Sequence, residues 1–363
     1  MKHQQKEFSS VISVNGKKIG EDEPTYFIAE IGSNFDQDLS RAKDLIYLAK
    51  EAGADAAKFQ HYTAHTLVSD LGFKSLGNKK SHQANWDKSV YDTYDDASLN
   101  SDWTKELKDT CDKAGITFFT SPYSIGLVDL VDEYVPAFKI GSGDITWTKI
   151  LDHIASKNKP VFLATGASSI EDVNRAIITL SKKNKNIVLM QCNTNYTADK
   201  INFSNMQLNV IKSFSELYPG IITGISDHMP GHVSVLGAIA LGAKVVEKHF
   251  TDSTNRKGPD HPFSMTPETW KEMVSRTREL EDALGDGIKK VEDNEKETIV
   301  VQQRSICSAV DIEKGSIIQE KHLDYLRPCP SNALKPYQSS LAIGRQLKKS
   351  IKKGEIIKME DFE

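Results

Sequence analysis

Residues 27–60 read FIAEIGSNFDQDLSRAKDLIYLAKEAGADAAKFQ and contain an apolar run, a segment with helical spacing, a turn and a second apolar run. Apolar residues of the middle segment share one face of a helix, namely Ala42, Leu45, Ile46 and Ala49. The Ala-Gly turn after this segment is typical of a helix C-terminus that leads into a strand. The stretch therefore predicts a parallel βαβ unit.

The same alternation continues to about residue 250. Amphipathic segments separate eight apolar runs, which are FIAEIGSN (27–34), AAKFQ (56–60), TFFTSP (117–122), AFKIGSG (137–143), PVFLATG (160–166), IVLMQC (187–192), GISDH (224–228) and VVEKHF (245–250). Eight consecutive βα units predict an α/β fold, a closed (β/α)₈ TIM barrel.

A doubly wound open sheet also alternates strands and helices, but the placement of polar residues favours the barrel. Nearly every run ends in polar side chains: Glu30, Asn34, Lys58, Gln60, Thr120, Ser121, Lys139, Ser142, Thr165, Thr194, Tyr196, Asp227, His228, Lys248 and His249. A barrel gathers all eight strand ends around one mouth, where its active site lies. An open sheet would use only the ends near its switch point.

The pattern changes after the barrel, so we predict a barrel domain at 1–285, a charged linker at 286–302 and a small β-rich domain at 303–363. The last part contains an internal echo, IEKGSIIQEKHL (312–323) against IKKGEIIKMEDF (351–362), which suggests repeated turns. Within the barrel, the long polar segment 62–101 is typical of a lid or binding loop, with disorder as the alternative.

The composition is that of a globular protein, with 39% hydrophobic residues, 26% charged residues and a formal net charge of −4. This charge gives no reason to expect nucleic acid or a membrane surface as a partner. Four scattered cysteines without a CxxC pair argue against a disulfide scaffold or a thiolate zinc site. No signal peptide and no apolar span of roughly 20 residues is recognisable, so we expect a cytoplasmic protein.

Two histidines end the seventh and eighth runs, His228 and His249. A single histidine at a strand end more often serves as a hydrogen-bonding residue than as a metal ligand. Two imidazoles on adjacent strands suit a borderline divalent ion such as Mn²⁺ or Zn²⁺, with water, carboxylate or substrate in the other positions. The sequence leaves both interpretations open.

Three lysines fall within or at the ends of strands, Lys58, Lys139 and Lys248. Lysine is costly there unless it is paired. Together with three hydroxyl residues they would form a cationic floor for a substrate that carries phosphate and carboxylate, the hydroxyls being those of Thr120, Ser121 and Ser142. Ion pairing with Glu30, Asp144 or Glu247 is the alternative, and it explains one lysine more readily than three.

Two acidic residues stand out. Glu30 is the acid in the apolar run FIAEIG and is a candidate general acid or base, a ligand for sugar hydroxyls, or a salt-bridge partner of Lys58. Asp260 lies in the turn GPDH (258–261), from which it could hydrogen-bond the hydroxyls of a polyol.

The ordered set of strings resembles the sialic acid synthase family, which makes N-acetylneuraminic, legionaminic, pseudaminic and related nonulosonic acids. The barrel strings are FIAEIGSN, AGADAAKFQ, FFTSPY, FKIGSGD, ATGAS, SDHMPGH, ALGAKVVEKHFT and GPDHPFSM. RSICSAVDIEKGSII, YLRP and IKKGEII resemble the antifreeze-like (SAF) domain of the family. The resemblance covers nearly the whole chain from about residue 10.

The resemblance implies phosphoenolpyruvate and an N-acetylated amino-sugar aldehyde as substrates, either N-acetylmannosamine or a 2,4-diacetamido-6-deoxyhexose. It implies a divalent ion on His228 and His249, with Mn²⁺ expected and Mg²⁺ or Co²⁺ as alternatives. It also implies a domain-swapped homodimer in which each SAF domain caps the barrel of its partner. In this reaction C3 of phosphoenolpyruvate attacks the aldehyde carbon, water adds at C2, and phosphate leaves by C–O cleavage.

The resemblance also assigns roles to single residues. It implies that Glu30, Lys58, Lys139 and Asp144 are catalytic, with both lysines also in the phosphoenolpyruvate pocket and Asp144 near the metal. It places the other substrate-binding residues at Gln60, Thr120, Ser121, Ser142, Thr194, Tyr196, Asp260 and Arg327. The last of these would reach into the partner's site and bind the N-acyl group of the sugar.

Four positions depart from the family pattern. Asn-Phe-Asp-Gln at 34–37 replaces the usual Asn-His-Asn-Gly, so that Phe35 stands where the family has histidine, and Ala164 replaces a serine. Asp144 is shorter than the usual glutamate, and Thr194 replaces an asparagine of some relatives. These changes predict an active synthase with an unusual sugar. The alternatives are another phosphoenolpyruvate-dependent 3-deoxy-sugar-acid synthase and a non-catalytic carbohydrate-binding protein.

Overall fold

The computed structural model describes residues 7–76, 83, 86–197 and 199–363. The chain divides into two compact units, one up to Gly285 and one from Asp286 to Glu363. None of the described helices is both long and apolar enough to cross a membrane.

The first unit alternates strands and helices. Its described strands are β1 (Val11–Val14), β2 (Lys17–Gly20), β3 (Tyr26–Glu30), β4 (Ala56–His61), β5 (Thr117–Pro122), β6 (Phe138–Ile140), β7 (Val161–Ala164), β8 (Ile187–Cys192), β9 (Ile222–Asp227) and β10 (Val245–His249). Its described helices are α1 (Leu39–Glu51), α2 (Ala64–Leu67), α3 (Asp70–Ser75), α4 (Val90–Ala97), α5 (Thr104–Ala114), α6 (Ile125–Val131), α7 (Thr148–Ala155), α8 (Ile170–Ser181), α9 (Val210–Leu217), α10 (Val233–Ala240) and α11 (Pro267–Leu284).

Strands β3 to β10 form a parallel sheet in the order β5-β4-β3-β10-β9-β8-β7-β6. The first and last of these strands, β3 and β10, are paired, so the sheet curls back on itself. Strands β5 and β6 end the order and lie beside each other without a ladder. The predicted TIM barrel is confirmed in this nearly closed form, and each of the eight predicted apolar runs overlaps one of its strands.

Local sequence explains how the units repeat. Helix α1 begins at Asp38, whose side chain accepts hydrogen bonds from the backbone N–H groups of Ser40 and Arg41. It buries the apolar face predicted from the sequence and ends before Gly53, which has a φ of +96°. Because a left-handed φ favours glycine, the Ala-Gly turn ends the helix and directs the chain into β4.

The barrel interior is apolar at one end and polar at the other. The β1–β2 hairpin contributes Ile12, Val14 and Ile19 to a buried cluster with residues that start the barrel strands, including Tyr26 and Val245. This cluster fills the N-terminal end of the barrel. Polar side chains can therefore meet inside the barrel only near the C-terminal ends of the strands.

The predicted insertion contains short helices. Within 62–101, the described residues form α2, α3 and α4, and a 3₁₀ turn begins at Ser101. Residues 77–82, 84 and 85 of the insertion lie outside the described residues.

The second unit contains helix α12 (Lys296–Gln302) and the antiparallel strands β11 (Ser305–Ser308) and β12 (Leu323–Leu326). Helix α12 falls within the segment predicted as a linker. The two similar segments, 312–323 and 351–362, pack together in the structure, and residues at the same position of each segment have similar surroundings. Ile312 bridges Ile351, and Ile318 and Ile357 are both buried in one core.

Candidate active site

A cavity of about 400 Å³ lies at the C-terminal ends of the barrel strands. Many of the residues singled out from the sequence line it, namely Glu30, Lys58, Gln60, Ser121, Lys139, Ser142, Asp144, Thr194, Tyr196, His228, His249 and Asp260. The volume is in the range typical of small-molecule sites.

The charged floor of the cavity is built from two lysines and two carboxylates. Lys58 contacts Glu30 and has its Nζ atom 3.9 Å from Glu247 Oε1, which lies 3.2 Å from Lys139 Nζ. All four side chains are buried. Burial lowers the pKa of Lys58 to about 7, although the Glu247 carboxylate opposes this change. Burial alone would raise the pKa of Glu247, but the two ammonium groups hold it below its ordinary value. The lysines are thus ion-paired and still face the cavity.

The third lysine does not belong to this floor. Lys248 donates hydrogen bonds of 2.6 Å to Asp227 Oδ2 and to the backbone oxygen of Met229, and it does not line the cavity. Successive side chains of a strand point to opposite faces, so Lys248 points away from the face that carries Glu247 and His249. The inclusion of Lys248 in the predicted floor is therefore wrong, and ion pairing is the correct interpretation for this residue.

Thr120 is also placed outside the cavity. Its hydroxyl donates to the backbone oxygen of Phe59 at 3.0 Å and lies 2.7 Å from His61 Nδ1. His61 Nε2 in turn lies 2.8 Å from Thr104 Oγ1 at the start of α5. Thr120 thus joins the strand to the helix layer, and its neighbour Ser121 faces the cavity, as strand alternation requires.

Several buried polar atoms of the cavity have no hydrogen-bond partner among the described residues. They include Ser121 Oγ, Thr194 Oγ1 and Glu247 Oε2. Ser142 Oγ accepts a hydrogen bond of 2.9 Å from the backbone N–H of Gly166. A Cβ atom at Gly166 would collide with Thr194 and lie 2.9 Å from Ser142 Oγ. Because buried polar groups are nearly always hydrogen-bonded, these hydroxyls fit a site that is completed by a polar ligand.

The two predicted metal ligands lie side by side, since the ring centroids of His228 and His249 are 5.5 Å apart. His228 Nδ1 lies 3.0 Å from the backbone oxygen of Asn193. A hydrogen bond to that oxygen keeps the proton on Nδ1 and leaves Nε2 free to bind a metal. Burial lowers the pKa of His249 to about 3, so this imidazole is neutral at pH 7, as a metal ligand must be. Phe263 packs on both rings, with centroids 5.8 and 4.8 Å away.

The donor set fits an ion that keeps open coordination positions. Among the described residues, no group of three or more His, Cys, Asp and Glu side chains converges on one point. The imidazoles of His228 and His249 would be the protein ligands, and water or substrate oxygen would supply the rest. This combination suits Mn²⁺ or a similar borderline divalent ion.

Acidic residues surround the histidines and the strand ends. Asp260 Oδ2 lies 3.6 Å from His249 Nδ1 and accepts a hydrogen bond of 3.0 Å from Ser33 Oγ. A Cβ atom at Gly32 would lie 2.7 Å from the same carboxylate oxygen, so only glycine allows this approach. Partial burial raises the pKa of Asp144 to about 6.

The departures from the family pattern lie in different places. Phe35 is buried and packs against Phe59 and Trp103, so it does not line the cavity. Ala164, Asp144 and Thr194 all line it. Arg327 lies in the second unit, where its side chain is exposed.

Some cavity residues were missed from the sequence as site residues. Cys192 and Phe263 line the cavity, as do three tyrosines, Tyr62, Tyr94 and Tyr123. From the sequence, Glu247 is predicted only as an ion-pair partner. It lies two positions before His249 on β10, so the two side chains are on the same face of the strand. This spacing is the signal in the sequence that Glu247 faces the cavity.

Comparison with known proteins shows the family of the chain. The NeuB family model matches residues 45–289 and the SAF domain model matches residues 303–363. N,N'-diacetyllegionaminic acid synthase from Campylobacter jejuni is 36% identical over 92% of this chain and 99% of that protein. Human N-acetylneuraminate-9-phosphate synthase is 32% identical over 84% of this chain and 83% of that protein.

Solved structures include a close match in fold. The N-acetylneuraminic acid (sialic acid) synthetase from Leptospira borgpetersenii serovar Hardjo-bovis, in complex with citrate, has a TM-score of 0.69 and 28% identity. The match covers 80% of this chain and 96% of that chain. The chain therefore belongs to the NeuB family and carries a C-terminal SAF domain.

Proposed function

We propose that this chain is a nonulosonic acid synthase, which condenses phosphoenolpyruvate with an N-acetylated amino-sugar aldehyde and releases phosphate. One observation carries the proposal: a cavity at the barrel mouth contains two buried lysines, buried hydroxyls without a partner among the described residues, and a neighbouring pair of imidazoles. The names of the relatives support it, because they are synthases of legionaminic acid and of N-acetylneuraminate 9-phosphate.

Phosphoenolpyruvate would bind over the charged floor. The ammonium groups of Lys58 and Lys139 would contact its phosphate and carboxylate, and Ser121 and Ser142 would donate hydrogen bonds to the same oxygens. Glu30 already contacts Lys58, so the substrate competes with this carboxylate for the ammonium group. A buried site strengthens each of these contacts because little water screens them.

The sugar would lie between the floor and the histidines. His228 and His249 would hold the divalent ion, which supplies polarisation of the aldehyde carbonyl when it is bound. Gln60 donates a hydrogen bond of 3.1 Å to Glu30 Oε1, and this pair faces the cavity. Together with Tyr196 and Asp260 on the other side, these groups offer donors and acceptors for sugar hydroxyls.

The reaction then needs proton carriers at two places. C3 of phosphoenolpyruvate forms a bond with the aldehyde carbon, and the aldehyde oxygen gains a proton. Water adds at C2 and loses one proton. The C2–O bond to phosphate then breaks, the second proton of the water passes to the departing phosphate, and a ketone remains at C2. We assign the proton transfers to Glu30 and Asp144, because a pKa of about 6 lets Asp144 donate or accept near neutral pH.

The finer assignments stay predictions of the resemblance. These are manganese as the ion, a homodimer, a cytoplasmic location and the reach of Arg327 into the partner's site. The exposed side chain of Arg327 has no ion-pair or hydrogen-bond partner in the described part of the chain, which leaves it available for such a contact.

A phosphate-release assay tests the proposal. Phosphoenolpyruvate and Mn²⁺ are combined with a panel of 2-acetamido and 2,4-diacetamido hexoses, and the product mass is measured. We expect phosphate release with at least one sugar and its loss in His228→Ala. A 3-deoxy-sugar-acid synthase would instead require a phosphorylated sugar without an acetamido group, and a carbohydrate-binding protein would release no phosphate with any sugar.

A further inference from the structure

The cavity has two chemically different halves. The strand ends supply the charged and hydroxyl groups described above. The insertion between β4 and α5 supplies the other half, and its described lining residues carry no charge: Tyr62, Leu67, Val68, Phe73, Trp86, Thr93, Tyr94 and Ala97. We call this second half the insertion wall.

Described charged residues of the insertion lie at its surface. Lys74 pairs with Asp70 at 2.6 Å, and Lys88 pairs with Asp96 at 2.5 Å. Both pairs are largely exposed to solvent. The described part of the insertion is therefore amphipathic, with its apolar side turned to the cavity.

Aromatic contacts fix the insertion wall to the barrel. Ring centroids of Trp86 and Tyr94 are 5.9 Å apart, those of Tyr94 and Tyr62 are 5.6 Å apart, and those of Tyr62 and Tyr123 are 5.9 Å apart. All three contacts are edge-to-face, an arrangement that adds stability beyond the buried area. Tyr123 follows β5, and a Cβ atom at Gly141 would lie 3.0 Å from its hydroxyl. The wall is thus attached to the strand ends that form the floor.

Two polar side chains of the wall already have partners. Thr93 donates its hydroxyl proton to the backbone oxygen of Ser89 at 2.9 Å. The Tyr94 hydroxyl accepts a hydrogen bond of 3.4 Å from Gln83. Burial raises the pKa of Tyr62 well above its ordinary value, so its phenol stays uncharged. A substrate hydroxyl placed against the apolar residues of this wall would lose water without gaining equivalent partners, whereas a methyl group needs no partner.

The position of the reacting groups decides which part of the sugar meets the wall. The aldehyde carbon must lie at the strand ends, beside the histidines and the lysines. The far carbons of the open-chain sugar then extend into the remaining half of the cavity, which is the insertion wall.

We infer that the insertion wall selects the distal carbons of the sugar, and that the substrate is a 2,4-diacetamido-6-deoxyhexose. Its C6 methyl and second acetamido methyl groups match an apolar surface. N-acetylmannosamine would bring hydroxyls to the same surface, and a 6-phosphorylated sugar would bring a dianion. The inference rests on the proposed function and adds the substrate class.

The test compares kcat/KM for three sugars with phosphoenolpyruvate and Mn²⁺: 2,4-diacetamido-2,4,6-trideoxymannose, N-acetylmannosamine and N-acetylmannosamine 6-phosphate. We expect the first to exceed each of the others by on the order of tenfold or more, as pockets discriminate small apolar groups. Equal or greater kcat/KM for either of the others overturns the inference and leaves the proposed function intact. Phosphate release with none of the sugars overturns both.

Variants of the insertion wall test whether it determines the preference for the deoxy sugar. Phe73→Ser and the isosteric Val68→Thr should each reduce the preference for the deoxy sugar by about tenfold, with the KM for phosphoenolpyruvate unchanged. Leu71→Ser is the matched control, because Leu71 lies on the same helix as Phe73, is 80% exposed and does not line the cavity. An unchanged preference in both wall variants would contradict the inference.

Discussion

Glu247 on β10 faces Lys139 on β6 across the barrel mouth, with 3.2 Å between Oε1 and Nζ. The two strands lie four places apart in the eight-stranded order, so this ion pair spans the full width of the barrel. The same carboxylate lies 3.9 Å from Lys58 Nζ. Glu247 therefore holds both lysines of the floor in the position where an anionic substrate would meet them.

Removal of the Glu247 carboxylate should lower the stability of the free protein and increase the stabilisation that phosphoenolpyruvate provides on binding. Glu247→Gln leaves two buried ammonium groups with less compensation, and breaking a buried pair costs about 3–5 kcal/mol. We expect a lower Tm than that of the parent protein, and a larger rise in Tm on addition of phosphoenolpyruvate. Thermal unfolding with and without the substrate measures both.

Glu272→Gln is the control for this variant, because Glu272 pairs with Arg276 at an exposed position on α11. Exposed pairs contribute little, so its Tm should not change. Equal unfolding temperatures for Glu247→Gln and the parent protein would contradict the bridging role.

The alternation of side chains along each strand explains how much of the site the sequence could predict. Glu30, Lys58, Ser121 and His249 share the inward face of their strands with small or apolar residues nearer the N-terminus. Thr120 and Lys248 lie one position away from this face. The presence of polar residues at the strand ends is enough to predict the barrel. It does not show which face of the strand each residue is on, so Thr120 and Lys248 are wrongly included in the predicted site.

Other features could not be read from a single sequence. The insertion contributes to the cavity through short helices whose apolar residues have no long period, so segment 62–101 resembled a polar loop. The hydrogen bond from Ser33 to Asp260 joins loops that are far apart in the chain. Contacts of this kind follow from the closure of the barrel rather than from local spacing.

The pKa of Lys58 predicts a pH dependence of substrate binding. Burial lowers this pKa to about 7, so the ammonium form is complete below that pH and is lost above it. The KM for phosphoenolpyruvate should therefore be nearly constant below pH 7 and rise toward about tenfold per pH unit above it. This value already includes the Glu247 carboxylate, which opposes the effect of burial. Steady-state kinetics between pH 6 and pH 9 measure it.

Lys58→Arg provides the comparison, since a guanidinium group stays charged over this range. Its KM for phosphoenolpyruvate is expected to be higher than that of the parent protein and independent of pH. A parent enzyme whose KM stays flat up to pH 9 would show that Lys58 does not titrate in the free site.

Metal removal should abolish activity. Excess EDTA is expected to stop phosphate release, and Mn²⁺, Co²⁺ or Mg²⁺ should restore it. His228→Ala and His249→Ala should each weaken Mn²⁺ binding at least tenfold in a direct titration, because each removes one of two protein ligands. His153→Ala changes a histidine that pairs with Asp129 on the outside of the barrel and should bind Mn²⁺ normally. Full activity in excess EDTA would defeat the metal assignment.

Arg327 should affect the sugar and not phosphoenolpyruvate. Arg327→Ala is expected to raise the KM for the sugar with little change in kcat, since the contact would act equally in the ground state and the transition state. Arg345→Ala is the control, because Arg345 is another exposed arginine of the second unit. An unchanged sugar KM in Arg327→Ala would count against a cap that reaches into the partner's barrel.

The adjacent residues Thr120 and Ser121 on β5 allow an effect on substrate binding to be distinguished from an effect on stability. Ser121→Ala removes a buried hydroxyl that has no partner among the described residues, so the KM for phosphoenolpyruvate should rise about tenfold with little loss of stability. Thr120→Val keeps the shape of the side chain but leaves His61 Nδ1 and the Phe59 carbonyl without this partner. It should cost about 1–3 kcal/mol of unfolding free energy and leave the KM unchanged. Denaturant unfolding and phosphate-release kinetics on both variants measure the two effects. The opposite pattern, with Thr120→Val raising the KM and Ser121→Ala only destabilising the fold, would mean that the strand presents its other face to the substrate.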